Sequence, residues 1–265
     1  MAKSITLISC LGENTYPICE LLAAYLSEQI GIQVQFDRTT PWLAASQQLA
    51  MGEIQMGWIC GLLYTLQQDQ QPRYQVLAKP IFAGHEQPLY YSYLVVRRTS
   101  AMQSIADLQG KRLVINDPDS YSGKHALWAH WAKLERPPVF ATVLESGSHS
   151  NSMRMLANGE ADVAAIDCTV FDYWLQSDKP DMQAVLKQLV SIAPINPAPT
   201  PPLVMHQSVD TVTTQAIRHA LLALNQSKGL ANFKSAGLTN LVTAHDQDYE
   251  FMRQSYQLSR EFRQH

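Results

Sequence analysis

No apolar run in this sequence reaches the roughly 18 residues that a membrane-crossing helix needs, so no membrane span is expected. Charge of one sign is missing too. Twenty Lys and Arg stand against 23 Asp and Glu, a net charge of −3 with no cluster of like charge. A nucleic-acid binder needs a basic stripe to displace counterions, so nucleic acid is excluded as a partner. The four cysteines, Cys10, Cys19, Cys60 and Cys168, form no CxxC pair and no His/Cys ligand spacing. No metal site is expected, and buried thiols are the reading, with a disulfide left open for an exported chain. No charged, apolar, small-residue leader precedes the first strand. The expectation is therefore conditional. The protein is periplasmic, or lipid-anchored outside the inner membrane, if a leader was removed, and cytoplasmic if Met1 is the true start. No Ser/His/Asp or Cys/His set is fixed by spacing, and no cofactor is implied.

What the chain does have is core. Forty-six per cent of its residues are hydrophobic and only 16% charged, enough for one large domain or two ordinary ones. The 14 prolines are dispersed except around 194–202, which argues against low complexity. Strand-length apolar runs alternate with helix-length amphipathic segments. Thr6–Cys10, Gln33–Phe36 and Met56–Ile59 read as strands. Tyr16–Gln29, Trp42–Met51 (closed by Gly52) and a segment from about Leu62 read as helices. This β-α-β-α-β order favours a parallel sheet covered on both faces.

The same grammar recurs at an offset of 107 positions, where Leu49-Ala50-Met51-Gly52-Glu53 meets Leu156-Ala157-Asn158-Gly159-Glu160. Under that offset the first three strands fall on Leu113–Asp117, Ala141–Val143 and Ala165–Asp167. Two α/β lobes of similar build follow. Tyr90–Arg98 would carry the chain across, and Pro194–Pro202 would carry it back. The expected division is 1–92 plus 198–265 for the first lobe and 93–197 for the second, with a ligand cleft between lobes and two crossover segments. Closure about a hinge is expected of such an architecture.

Ligands bind at the carboxyl ends of parallel strands, so the loops there carry the chemistry. Asn116-Asp117-Pro118-Asp119-Ser120-Tyr121-Ser122-Gly123 follows a strand and opens a helix. Ser120, Ser122 and the amides around Gly123 would make a donor-rich helix start that attracts anions, or else a plain serine cap. Gly147-Ser148-His149 repeats the arrangement, with His149 able to aim a ring N–H at the same anion or to lie exposed. In the first lobe Thr40-Pro41 starts a helix at Trp42, the residue that matches His149. Trp42, Tyr90 and Tyr91 would wall the site or pack in the core, whereas packing is preferred for Trp58 and Trp131. Asp167 ends an apolar strand and would reach the ligand, orient His149, or cap the next helix.

Taken together these residues resemble the phosphonate-binding branch of the type II periplasmic binding proteins, the solute-binding components of phosphate, phosphite and phosphonate ABC importers. The resemblance rests on LAMGEIQMGWICG, YYSYLVVR, Ser104-Ile105-Ala106-Asp107-Leu108-Gln109-Gly110-Lys111, NDPDSYSG, the GSH at 147–149 and LANGEADVAAID, in family order over about residues 36–205. It implies that Ser120, Tyr121 and Ser122 hold the ligand's oxygens, that His149 assists, and that Tyr90 closes from the first lobe. Two positions depart from the pattern: Gln55 stands where an aspartate is usual, and Trp42 where a tyrosine often serves. The implied function is capture of a small tetrahedral oxyanion for an ABC permease, by a monomer, without covalent chemistry. An enzyme on the same fold, similar to the menaquinone-pathway lyases, is the alternative; it would draw acid–base groups from Asp167, His149 and the thiols of Cys10, Cys60 and Cys168. A ligand-sensing domain is the third reading.

Overall fold

The computed structural model describes residues 4–262. The strands are β1 (Ser4–Ser9), β2 (Gln33–Asp37), β3 (Met56–Trp58), β4 (Tyr74–Phe82), β5 (Leu89–Arg97), β6 (Arg112–Ile115), β7 (Thr142–Glu145), β8 (Val163–Asp167), β9 (Leu189–Pro199), β10 (Leu203–His206) and β11 (Leu238–Val242). The helices are α1 (Tyr16–Ile30), α2 (Trp42–Met51), α3 (Gly61–Gln70), α4 (Ala126–Trp131), α5 (His149–Ala157), α6 (Cys168–Gln176), α7 (Pro180–Leu186), α8 (Thr211–Ala223), α9 (Leu230–Ser235) and α10 (Glu250–Glu261). None of the described helices is long and apolar enough to cross a membrane.

The chain forms two compact units. One holds the residues up to Leu89 with Pro199–Glu250, the other Tyr90–Ala198 with the segment from Phe251 onward. The chain thus changes unit near both expected crossings and once more at Glu250/Phe251. The sequence reading kept 198–265 whole in the first lobe. Instead α10 packs with the second unit: Ser259 meets His125, Tyr256 lies edge-on to the same ring, and Phe262 tilts against Trp128.

The first unit's sheet runs β11-β4-β10-β3-β1-β2. The β1 strand is parallel to β2 and β3, and β10 is antiparallel to β3 and β4. The helix α1 buries Ile18, Cys19, Leu22, Ala23 and Leu26, a one-sided stripe that packs on Ile5, Leu7, Trp58 and Leu203. Gly52 ends α2 at φ +79, and its N–H returns to the Leu49 carbonyl. A left-handed residue there favours glycine.

The second unit's sheet runs β7-β6-β8-β5-β9. Its central strands are apolar on both faces. Val163 and Ala165 pack with Leu113, Leu127 and Trp131, while Ala164 and Ile166 pack with Val114, Met153 and Trp174. That two-sided burial is why VAAID shows no alternation. The proline-rich return is itself a strand, β9, which lies at the sheet edge, where missing N–H donors are tolerated. Trp58 and Trp131 are fully buried and donate their indole N–H to the Pro201 and Pro138 carbonyls, as packing residues do.

Candidate anion site

In the second unit β6 is parallel to both β7 and β8, so their carboxyl ends lie on one side of the sheet. Three chain segments leave there: the loop to the π-helical turn Tyr121–His125 after β6, the Gly/Ser loop to α5 after β7, and α6 directly after β8. They bring Ser122, His149 and Asp167 together. The Ser122 hydroxyl stands 3.1 Å from His149 Nε2 and 3.4 Å from Asp167 Oδ2. Its carbonyl accepts a 2.6 Å bond from the Ser92 hydroxyl. Ser92 stands directly opposite Asp167 in the β5/β8 register, a pairing that the sequence did not reveal.

The turn is built around Gly123. Its N–H donates to Ser120 Oγ at 3.1 Å, so this amide is spent on a cap where an anion contact had been expected. The Ser120 oxygen therefore acts as an acceptor within the turn and has its own proton to give. A Cβ on Gly123 would meet the Asn116 amide group, with Cγ at 2.7 Å, and Ser120 Oγ at 3.0 Å. Only glycine fits. The Ser122 amide stands in the first turn, where helical geometry supplies no carbonyl acceptor. A π turn widens the backbone, and such turns are frequent where ligands bind.

His149 opens α5 behind Ser148, whose side chain caps the helix by accepting from the Asn151 N–H at 3.1 Å. Burial pushes the imidazole down to about pKa 4 against the Ala165 carbonyl, which favours the charged ring. Asp167 serves both of the purposes set as alternatives. Its Oδ1 caps α6 by accepting from the Thr169 N–H at 2.8 Å and hydroxyl at 2.7 Å, while Oδ2 faces Ser122. Burial raises its carboxyl to about 6, outweighing the hydrogen bonds from Thr169 and Ser122. Near neutral pH the site therefore pairs a neutral imidazole with a carboxylate whose charge is costly. Asp167 Oδ2 as a carboxylate can only accept from Ser122, whereas the role of His149 Nε2 follows its tautomer.

Tyr121 and Tyr90 are buried, their rings 6.4 Å apart. Tyr90 was expected to close from the first lobe; it belongs to β5 in the second unit and packs beside the turn. Tyr91 follows it, its N–H 3.2 Å from Cys168 Sγ. Trp42 opens α2 in the first unit, two-fifths exposed, and its carbonyl accepts from the Cys10 thiol. It is not part of the Ser122 cluster. Gln55, the departure from the family pattern, is structural: its side chain accepts from the Thr6 N–H and donates to the Glu53 carbonyl.

The arrangement does not make a nucleophile. In a serine relay the imidazole stands between hydroxyl and carboxylate, whereas here the hydroxyl stands between the other two. Burial holds the thiols of Cys10, near 12, and of Cys168, higher still, far from thiolate. The thiols of Cys10 and Cys168 are thus poor acid–base groups.

The two-unit α/β chain has the fold of the type II periplasmic binding proteins, with Ser122, His149 and Asp167 gathered at strand ends of its second unit. Solved structures with that fold include the binding-protein component of an ABC phosphonate transporter, PA3383 of Pseudomonas aeruginosa, at 20% identity and a TM-score of 0.79, covering 98% of this chain and 87% of that one. PhnD1 of Prochlorococcus marinus, solved with methylphosphonate, is similar at 17% identity and a TM-score of 0.77 over 98% of each chain. XAC2383 of Xanthomonas citri, solved with ATP, is similar at 16% identity and a TM-score of 0.71, again over 98% of each. The family model for the periplasmic substrate-binding proteins of phosphonate ABC transporters matches residues 12–249. The chain belongs to that family, which consists of binding components and not enzymes. The enzyme alternative is withdrawn.

Proposed function

We propose that this chain captures a small tetrahedral oxyanion of the phosphonate, phosphite or phosphate class at the carboxyl ends of β6, β7 and β8, and delivers it to an ABC permease from the periplasmic side. The observation that carries the reading is the Ser122 hydroxyl, seated at a turn start between His149 and Asp167. Ser120, Tyr121 and Gly123 shape that turn, and Tyr90 backs it. Trp42 is the first unit's candidate contributor, and the protein acts as a monomer. Aimed dipoles and hydroxyl protons neutralise the ligand, the usual means for an oxyanion held without arginine.

Calorimetry with methylphosphonate, phosphite, phosphate and sulfate tests this. Ser120→Ala with Ser122→Ala should weaken binding by about 2–5 kcal/mol, since each hydrogen bond to a charged group contributes roughly 1.5–3 kcal/mol. Wild-type affinity in that double variant would remove the turn from the site. Asp167 adds a selectivity expectation. A carboxylate facing an anion needs a proton from it, which phosphate and phosphonate keep near neutral pH and sulfate does not. Sulfate should bind poorly, and Asp167→Asn should narrow the gap because an amide can donate as well as accept. Equal discrimination in wild type and variant would limit Asp167 to its capping role.

A further inference from the structure

The π-helical turn that carries Ser122 ends on His125, a residue for which the anion site has no use. Its side chain is buried, and Nδ1 lies 2.7 Å from Ser259 Oγ on α10. The ring meets Tyr256 of the same helix edge-on, with centroids 4.9 Å apart. The Lys124 ammonium of the same turn donates to the Pro118 carbonyl, in the loop that precedes Ser120, at 2.9 Å. One proton lies between His125 Nδ1 and Ser259 Oγ, and either ring tautomer can share it. Ser259 is itself buried, on a stripe with Met252 and Ser255 by which α10 packs on the unit. Further along, Lys133 stands over the Phe251 ring and Phe262 against Trp128. A helix 134 positions away in sequence is thus keyed to the anion-binding turn through one imidazole.

We propose that His125 is a positioning residue for the anion site, and that α10 is its brace: the Ser259–His125 bond fixes the end of the turn that carries Ser122. This rests on the reading that Ser122 holds the anion. His125 lies three positions after Ser122, and the turn's own bond, His125 N–H to the Ser120 carbonyl at 3.1 Å, is of the looser i→i+5 kind. Loss of the brace should let Ser122 wander without unfolding the unit.

The test titrates methylphosphonate into the full chain as wild type, Ser259→Ala, Ser259→Thr and Ser122→Ala, with melting followed in parallel. Ser259→Ala should bind roughly 5–20-fold more weakly, the scale of one lost hydrogen bond acting through the turn. Ser259→Thr keeps the hydroxyl and should restore binding. Imidazole 15N spectra supply the readout that mere packing would not move. They should show a hydrogen-bonded Nδ1 in wild type, and an Nδ1 signal shifted toward the unbonded value in Ser259→Ala. Affinity within twofold of wild type in folded Ser259→Ala, or an Nδ1 signal unchanged in that variant, would overturn the brace. Unaltered binding in Ser122→Ala would instead overturn the anion site itself, and the brace with it.

Discussion

The two units share a plan and differ at one place. Strands β2-β1-β3-β10-β4 of the first correspond in order to β7-β6-β8-β5-β9 of the second, and the first adds β11. The helices α2 and α5 start at matched positions, Trp42 and His149, and each closes near a glycine at φ +79, Gly52 and Gly159. What precedes those helices is bonded differently. In the first unit the Asp37 carboxylate takes the hydroxyls of Thr39 and Thr40 at 2.7 and 2.6 Å and their amides at 2.8 and 3.2 Å. Those hydroxyls hold its carboxyl down near 2. The donors at that strand end are consumed by an internal anion. In the second unit the bonds run between loops: Ser122 of the π turn meets His149 and Asp167, and burial makes the Asp167 charge costly. The strand end is thus satisfied within one loop in the first unit and by three segments together in the second.

Matched glycine replacements should break this comparison most. Gly123→Ala drives a methyl into Asn116 and Ser120, costing about 1–3 kcal/mol of overpacking and removing anion binding altogether. Gly52→Ala is strained as well, by its positive φ and by the His206 ring, with Cε1 at 2.7 Å and Nδ1 at 2.8 Å, yet should leave methylphosphonate affinity intact. Urea titrations and calorimetry on both variants would show it; equal loss of binding would erase the distinction between units.

Asp167 and His149 should next show opposite pH behaviour. For Asp167 the folded value, about 6, exceeds the unfolded one, so the folded state keeps a proton that the unfolded state loses. Its contribution therefore falls as pH rises from about 4 to 6 and stays low above. Asp167→Asn keeps the Thr169 cap and should stabilise the protein at pH 7 by about 1–3 kcal/mol, and not at pH 4. His149 opposes it. An imidazole held near 4 binds fewer protons folded than unfolded, so stability is lost as pH falls from about 6.5 to 4, and His149→Gln should flatten that limb. Denaturation at pH 4, 5.5 and 7 separates the two slopes.

The smallest effect belongs to the first unit. Thr39→Ala with Thr40→Ala should cost about 1 kcal/mol at pH 7 after solvent screening. That loss should shrink as pH falls from about 4 through 2, as Asp37 takes up its proton in the folded state as well. Anion affinity should not change. A drop in affinity would place the ligand at the first unit.

Local patterning made much of the fold legible. The helix Trp42–Met51 and its glycine stop stand as read, because an N1 start, an apolar stripe and a left-handed cap are all local signals. The proline segment hid β9, since an edge strand forgives prolines that a central one would not. The place of α10 was hidden for a different reason: nothing near Ser259 in sequence announces His125. In the site, Ser122, His149 and Asp167 were each legible from strand-then-turn spacing. Ser92 and Thr169 were not, because a register and a capping bond appear only once the strands are paired. Tyr90 was assigned to the wrong unit because a crossing strand reads alike from either side.

The most direct test is a crystal structure with methylphosphonate. The account predicts phosphonate oxygens within hydrogen-bond distance of the Ser122 hydroxyl and amide and of His149 Nε2, at the ends of β6, β7 and β8. A ligand held by Thr39, Thr40 or Trp42 alone, with Ser122 still bonded only to His149 and Asp167, would contradict it.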